Sequence, residues 1–371
     1  MNLDETSLRV AVVAPSLAIL GGQSVQADRL LQMWRNDPAV EAWLVPHNPP
    51  PPWPLRWMTR IKYLRTLVTE ATYLPLLVKE LRRADVVHVF SASYSSFLLA
   101  PLPAVLVARA LRKPVVLNYH SGEAPDHLRR SALARRTLRR VNRNAVPSAF
   151  LREVFARFGL EATVVPNLVA VDGLCYRPRV PLRPRLLSTR NMEPLYNVEC
   201  TLRAFHGVQA QCPDASLTLV GSGSELPRLR ALASSLGLRN VVFAGRVAPG
   251  AIARYYTSHD IYIQSPEIDN MPLSVLEAFA SGLPVVSTDV GGMPAILSHG
   301  EHGLLAPSGD APALAAHVLR LLADSDRART MAEKAHGTLA AYSWPQVRSR
   351  WLAVYDSVHP GRAPQAAAVQ T

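Results

Sequence analysis

Short apolar runs of strand length alternate with amphipathic segments of helix length along almost the whole chain, the signature of parallel sheets covered on both faces by helices. The first half carries VAVVA (10 to 14), ADVVHVF (84 to 90), PVVLNY (114 to 119) and TVVP (163 to 166). The second carries RLLS (185 to 188), SLTLVG (216 to 221), NVVFAG (240 to 245), DIYIQS (260 to 265) and PVVSTD (284 to 289). These runs are β-branched and hydrophobic without alternation, as strands buried on both faces must be. A length of 371 residues exceeds one ordinary core and matches two domains of about 150 to 200 residues. The stretch 176 to 184, YRPRVPLRP, holds three prolines and reads as an extended linker between domains at 1 to 175 and 185 to 342. Helical segments are expected near 312 to 323 and 326 to 341. A last helix within 343 to 360 is expected to return to the first domain, with a disordered tail at 361 to 371.

Several classes are argued against at once. The N-terminal MNLDETSLRV has no basic segment followed by an apolar run, so a cytoplasmic protein is expected. Cys175, Cys200 and Cys212 are scattered without metal-ligand or disulfide-framework spacing. Residues 86 to 108 contain no Asp, Glu, Lys or Arg and are long enough to mimic a membrane span. They also contain His88, four serines, Pro101 and Pro103, and read as a buried strand, a turn and a helix.

In open parallel sheets, ligands bind beyond the carboxyl ends of strands, where helix N-termini present free amides. DNMPLSVLE (269 to 277) occupies such a place. DIYIQS ends at Ser265, a polar loop follows, and Pro272 fits the first turn of a helix running to Ala280 before Gly282 stops it. A phosphate there would meet the amides of Asn270, Met271 and Leu273. Glu277 lies about 7.5 Å beyond Pro272 along the axis, roughly the separation of a diphosphate from its ribose. It shares a face with Leu273 and Ala280, so its carboxylate calls for a donor, either a sugar hydroxyl pair or a structural cation. Asp269 can point at a polyhydroxyl substrate or, with Asn270, cap the helix.

The stretch 265 to 292, SPEIDNMPLSVLEAFASGLPVVSTDVGG, resembles the donor motif of glycosyltransferase family 4. The resemblance extends over nearly the whole chain through GGQSVQA, DVVHVF, VVPN, VGSGSELPRL, FAGRV and the closing aromatic helix. It implies a GT-B fold, two Rossmann-like domains whose parallel sheets face each other across a cleft. The implied activity is retaining transfer of a sugar from a nucleotide diphosphate, without a metal or other cofactor, onto a glycan or lipid-linked acceptor. The family motif has two glutamates; here Asp269 stands at the first position and Glu277 at the second. The resemblance implies that Glu277 binds the ribose hydroxyls and that Asp269 contacts the donor sugar, although it is one methylene shorter and Glu267 is a substitute. Arg190 matches an arginine set against the donor phosphates, a role suited to a bidentate guanidinium. The lysine expected five residues on is Leu195, which leaves Arg190 and the helix amides, or a hydrogen bond from Asn197. Gly221 and Gly223 are implied to border the nucleotide, and Gly245 and Arg246 the base. Gly21 and Gly22 are implied to reach the donor phosphates and the acceptor, and His120 the transferred sugar. Taken alone, each glycine could be a bare turn and His120 a structural histidine.

The net charge of +12 is unevenly placed: residues 1 to 180 hold 24 Lys or Arg against 13 Asp or Glu, and the rest hold 16 against 15. Seven of these arginines lie in LRRSALARRTLRRVNRN (128 to 144), and Trp53, Trp57, Leu64 and Leu67 accompany Arg56, Arg60, Lys62 and Arg65. This mixture suits a peripheral position on an anionic membrane, or equally a solvated basic face. No nucleic-acid motif accompanies it. The rivals to a transferase are a sugar-nucleotide epimerase or phosphorylase of the same fold, and a catalytically silent sugar-nucleotide-binding subunit.

Overall fold

The structure, a computed structural model, describes residues 7–18, 21–50, 53–54, 57, 61–169 and 173–359. The chain divides into two compact units, Met1–Leu168 with Trp344–Thr371, and Val169–Ser343. The first unit holds six parallel strands: β1 Leu8–Ala14, β2 Val40–Pro46, β3 Val86–Ser91, β4 Val115–Tyr119, β5 Arg143–Val146 and β6 Thr163–Val164, in the order β2-β1-β3-β4-β5-β6. Its helices are α1 Gly22–Arg35, α2 Lys62–Arg82, α3 Tyr94–Leu99, α4 Pro101–Ala110, α5 Ala124–Arg130, α6 Ala132–Leu138 and α7 Ala149–Arg157. Because strand side chains alternate, Val10 and Val12 enter one core with Val86 and Val116, while Ala11 and Val13 enter the other with Val87 and Leu117. The charge-free stretch 86 to 108 becomes β3, α3 and most of α4. No described helix is long and apolar enough to cross a membrane.

The second unit holds β7 Arg185–Ser188, β8 Ser216–Val220, β9 Val241–Gly245, β10 Ile261–Ile263, β11 Val285–Thr288 and β12 Leu304–Ala306, all parallel, in the order β12-β11-β10-β7-β8-β9. Its helices are α8 Val198–Gln211, α9 Leu226–Ser235, α10 Ala253–Ser258, α11 Leu273–Ser281, α12 Met293–Ile296, α13 Ala311–Ala323 and α14 Ser325–Gly337. The last helix, α15 Trp344–Asp356, belongs to the first unit. Trp351 and Tyr355 pack with Trp34 in the core behind β1, His88 Nδ1 lies 2.8 Å from the Tyr355 hydroxyl, and Arg348 pairs with Asp37.

Three strands escape the sequence reading. β2 is an edge strand, only partly buried and interrupted by Glu41. β5 begins on Arg143 inside the basic run, which hides its apolar residues, and β12 has only three residues. The proline-rich stretch 176 to 184, expected to be a linker, instead packs within the second unit. Arg179 is buried there, donating to the carbonyls of Tyr256 (2.7 Å) and His259 (3.3 Å), while Arg177 donates to that of Thr257 (3.2 Å). Burial holds the Arg179 guanidinium down at about 10, so it is still a cation at neutral pH, held by carbonyl dipoles that composition does not reveal. The expected tail, 361 to 371, lies outside the described residues.

Candidate functional site

In the second sheet, β7 and β10 are neighbours from which the chain leaves in opposite directions, towards β8 on one side and β11 on the other. Such a switch point opens a crevice at the carboxyl ends of the two strands. Arg190 lies just past β7, and the loop carrying Asp269 follows β10. The Arg190 guanidinium donates to the Asp269 carboxylate through Nη2 and to Ser274 Oγ through Nη1 at 3.2 Å, and its carbon lies 4.1 Å from the centre of the Tyr196 ring. The two side chains are only 10% and 13% exposed. Burial works against the charged guanidinium, but the carboxylate of Asp269 and the rings of Tyr196, Tyr262 and Tyr256 outweigh it, so the pKa is raised above its ordinary value. Arg190 Nε is buried and has no hydrogen-bond partner. A buried unpaired donor on a permanent cation is a place for an anionic oxygen.

Close backbone packing fixes both members of the pair. Gly221 has a φ of +146°, and a Cβ there would stand 2.3 Å from the Arg190 carbonyl oxygen, while one at Gly223 would stand 2.2 Å from that of Met192. On the other side, the Gly292 amide donates to Asp269 O at 2.9 Å, and a Cβ on Gly292 would fall 1.8 Å from Asn270 O. The glycines after β8 thus press against the arginine segment, and those after β11 against the aspartate segment.

Pro272 is the N-cap of α11 rather than part of its first turn, and Gly282, with a φ of +74°, ends the helix. Every residue of α11 is buried except Leu273 and Glu277, one turn apart, so this helix presents a single open stripe. Glu277 Oε2 accepts a hydrogen bond from Tyr256 OH at 2.9 Å. The Tyr256 hydroxyl also lies 2.7 Å from Thr189 Oγ1 and 3.2 Å from Ser274 O. Burial and the neighbouring Glu277 carboxylate raise Tyr256 well above its ordinary value, so it remains a donor. Not all the expected amides are open. That of Asn270 already donates to Asp269 Oδ1 at 2.7 Å, and the Met271 side chain is buried in the core with Val275 and Met293. The amides of Leu273 and Ser274, at the first two helical positions, have no intrahelical acceptor.

In the first unit, Gly21 and Gly22 follow β1, which adjoins β3 at the switch point of that sheet. Gly21 is extended, and a Cβ at either glycine would meet nothing within 4 Å. Neither glycine is required by its surroundings. His120 follows β4, its amide donating to Ser91 O at 3.0 Å and its ring stacked on Phe90. Its Nε2 is buried without a partner.

Residues 183–324 match the family model described as glycosyl transferases group 1, and residues 9–172 match glycosyltransferase family 4. The phosphatidyl-myo-inositol mannosyltransferase of Mycobacterium leprae is 30% identical over 285 residues, covering 74% of this chain and 74% of that protein. The chain belongs to glycosyltransferase family 4. The sulfoquinovosyl transferase SQD2 of Arabidopsis thaliana is 26% identical over 296 residues, 73% of this chain and 56% of that one. Among solved structures, Anabaena Alr3699/HepE in complex with UDP and glucose superposes with a TM-score of 0.74 at 17% identity, covering 94% of this chain and all (100%) of the other. Sucrose-phosphate synthase from Thermosynechococcus elongatus gives 0.74 at 19%, with 96% and 100% covered. The protein is therefore a glycosyltransferase of the GT-B fold.

Against that family pattern, several expected contacts fall differently in this glycosyltransferase. Leu195, where a lysine is expected, lies in a 3-10 turn, Pro194–Tyr196, and its carbonyl accepts the Glu267 amide at 2.9 Å. Asn197 is committed as the N-cap of α8, its Oδ1 accepting from Cys200 N at 3.2 Å and its Nδ2 donating to Glu267 at 3.4 Å. Glu267 is thereby engaged away from Arg190, and Asp269 is the acid that meets it. Arg246 is exposed beyond β9, two strands from β7, and is not gathered with the others. The sequence reading missed Thr189, Tyr196, Tyr256 and Ser274. Ser274 sits inside DNMPLSVLE and Tyr196 next to the missing lysine, both legible in hindsight. Tyr256 is on a separate helix, and no spacing links it to Glu277.

Burial pushes both His88 and His120 down to about 3, against an ordinary value of 6.5. His120 is therefore a neutral imidazole at physiological pH. Between pH 6.5 and 3 the unfolded chain binds protons that the folded chain refuses, so each histidine's contribution is complete above 6.5 and is lost as pH falls through this window. The loss is about 1.4 kcal/mol per pH unit per histidine. Melting temperatures recorded from pH 7 to 4 are expected to fall, and His120→Asn to flatten the slope by one histidine's share. An unchanged slope would refute the assignment.

Proposed function

We propose that this glycosyltransferase is a retaining enzyme that takes a sugar from a nucleoside diphosphate donor and places it on a lipid-linked or glycan acceptor. The observation that carries the reading is Arg190, a buried cation with an unpaired Nε that donates to Ser274, which lies about one helical turn before Glu277 on α11. In this reading Arg190 and the amides of Leu273 and Ser274 hold the leaving diphosphate, and the Glu277 carboxylate accepts the ribose hydroxyls. Asp269 orients Arg190 and lies beside the donor sugar. Stabilising the charge of the departing diphosphate is then the main catalytic task, and fixed cations and amides perform it without a metal. In the first unit, Gly21 and Gly22 leave backbone that an acceptor can approach, and His120 carries a neutral imidazole. The name of the mannosyltransferase relative supports a phospholipid-linked acceptor, and the UDP held by the Anabaena protein supports a nucleotide-sugar donor. Incubation with UDP- and GDP-sugars and a lipid acceptor, with and without EDTA, tests all of this. NMR of the first product should show the donor's anomeric configuration, unaffected by chelation; an inverted product overturns the reading.

The membrane face proposed for the first unit moves from the arginines to α2. The run 128 to 144 is broken into α5, α6 and the start of β5. Arg129 and Arg130 pair with Asp126, and Arg135 donates to the carbonyls of Leu128 and Arg129. Trp53, Trp57 and Leu67 are 81%, 60% and 65% exposed, with Ile61 and Leu74 also open, and Leu67 and Leu74 lie two turns apart on one face of α2. Arg56 and Arg60 lie outside the described residues. The chain is expected to sediment with anionic vesicles more than with neutral ones, and Trp57→Ala with Leu67→Gln to lower that binding at least several-fold. Equal partition to both vesicle types would refute it.

A further inference from the structure

We propose that the first unit carries a second ligand site, for a soluble phosphorylated polyol, in the basin between β5, β6 and α15. The basin has a volume of about 930 Å³ and is lined by Arg139, Arg143, Arg350, Asn144, Glu161 and Ser357 among others. Arg143 and Thr163 are the first residues of β5 and β6, so the basin lies at the amino ends of the strands. That is the opposite end from Gly21, Gly22 and His120, which follow the carboxyl ends of β1 and β4, and nothing in the transfer reaction calls for it.

Its charge and its hydrogen-bonding capacity point to the ligand. Three arginines face one carboxylate, Glu161, and among the described residues none of the three is in an ion pair. Arg139 donates to the carbonyl of Phe158 at 3.3 Å and Arg143 to Ser357 Oγ at 3.2 Å, both neutral acceptors that leave guanidinium donors over. Such a set accepts a phosphate monoester. Asn144 adds a second requirement. It is 7% exposed, and its Nδ2 donates to Leu138 O and Glu161 O, each at 3.1 Å. Those two carbonyls fix which way the amide faces, and its Oδ1 is left buried without a partner. Inorganic phosphate carries only its own P–OH and has no carbon-borne hydroxyl to reach that oxygen while the arginines hold its charge. A ligand with a phosphate for the arginines and a hydroxyl for Asn144 Oδ1 satisfies both, and the volume is ample for a hexose phosphate.

Calorimetric titration of the full chain with glucose 6-phosphate and glycerol 3-phosphate, beside inorganic phosphate and glucose, tests the site. At least one of the two esters is expected to bind at least tenfold more tightly than phosphate, with glucose silent. The double variant R143Q/R350Q is expected to lose at least tenfold in ester affinity while keeping its transferase activity, because neither side chain belongs to the proposed donor site. Arg190→Gln combined with Asp269→Asn, which disables that site without leaving a buried unpaired charge, is expected to bind the ester as before. Three results overturn the proposal: no binding of either ester, unchanged affinity in R143Q/R350Q, or loss of binding in the folded R190Q/D269N variant. Equal affinity for phosphate and the esters also overturns it, since the basin would then be an adventitious anion trap.

Discussion

Replacing Arg190 by Gln is expected to lower turnover by about 10²–10³-fold, the usual cost of removing one fixed donor from a developing anion. The same change leaves the Asp269 carboxylate buried without its cation, so stability is expected to fall by about 3–5 kcal/mol. The two effects can be separated. Arg190→Gln combined with Asp269→Asn removes both charges and should recover most of the stability, because no unpaired charge remains buried. Turnover should stay low, since the diphosphate still lacks its partner. Denaturant titration and steady-state kinetics on the two variants check this. Recovery of turnover in the double variant would show that Arg190 serves only to neutralise Asp269.

Replacing Glu277 by Ala is expected to weaken donor binding about 10–100-fold, since a hydrogen bond to a charged group is worth about 1.5–3 kcal/mol. Tyr256→Phe reaches the same carboxylate from behind. It removes the hydroxyl 2.9 Å from Glu277 Oε2 and leaves the ring in place. If Tyr256 is a positioning residue, the KM for the donor should rise about tenfold while kcat changes less, and Glu277→Ala with Tyr256→Phe should cost little more than Glu277→Ala alone. Additive losses in the double variant would mean that the tyrosine acts elsewhere. If Glu277→Ala leaves donor affinity and turnover unchanged, the site is misplaced.

These expectations divide according to where their information lies. Strand runs such as RLLS and PVVSTD, buried on both faces, leave a continuous apolar signal, and nine of the twelve described strands carry one, the partly exposed edge strands β6 and β9 included. β2, β5 and β12 do not: an edge position, an arginine at the start and a length of three residues each dilute it. DNMPLSVLE was legible because a loop, a proline, a helix and a terminal glycine are contiguous. The partner of its first acid was not. Asp269 is one methylene shorter than the residue it replaces, and its partner Arg190 stands 79 positions earlier in the chain. The missing lysine at Leu195 suggested Asn197 as a stand-in, yet that side chain caps α8, a demand set locally by unpaired helix amides.

The glycines show the same division. In the sequence Gly221 reads as a loop glycine beside the nucleotide or as a bare turn, whereas in three dimensions it and Gly292 are each the space that lets one strand-end loop lie against another. The proline stretch at 176 to 184 was read from composition as a linker and proved to be packed, because carbonyls of α10 and the end of α11 solvate Arg179. By itself, the sequence determined two parallel α/β sheets, the family and the position of the loop and helix that carry Asp269 and Glu277, since each depends on residues close together along the chain. Only the tertiary structure decided that Asp269 meets Arg190, that Tyr256 supports Glu277 and that Arg129, Arg130 and Arg135 of the arginine run are engaged by local partners. Hydrogen bonds and ion pairs form between atoms brought within about 3 Å, and the sheet order of the second unit, which returns β10 to the side of β7, is what closes those distances.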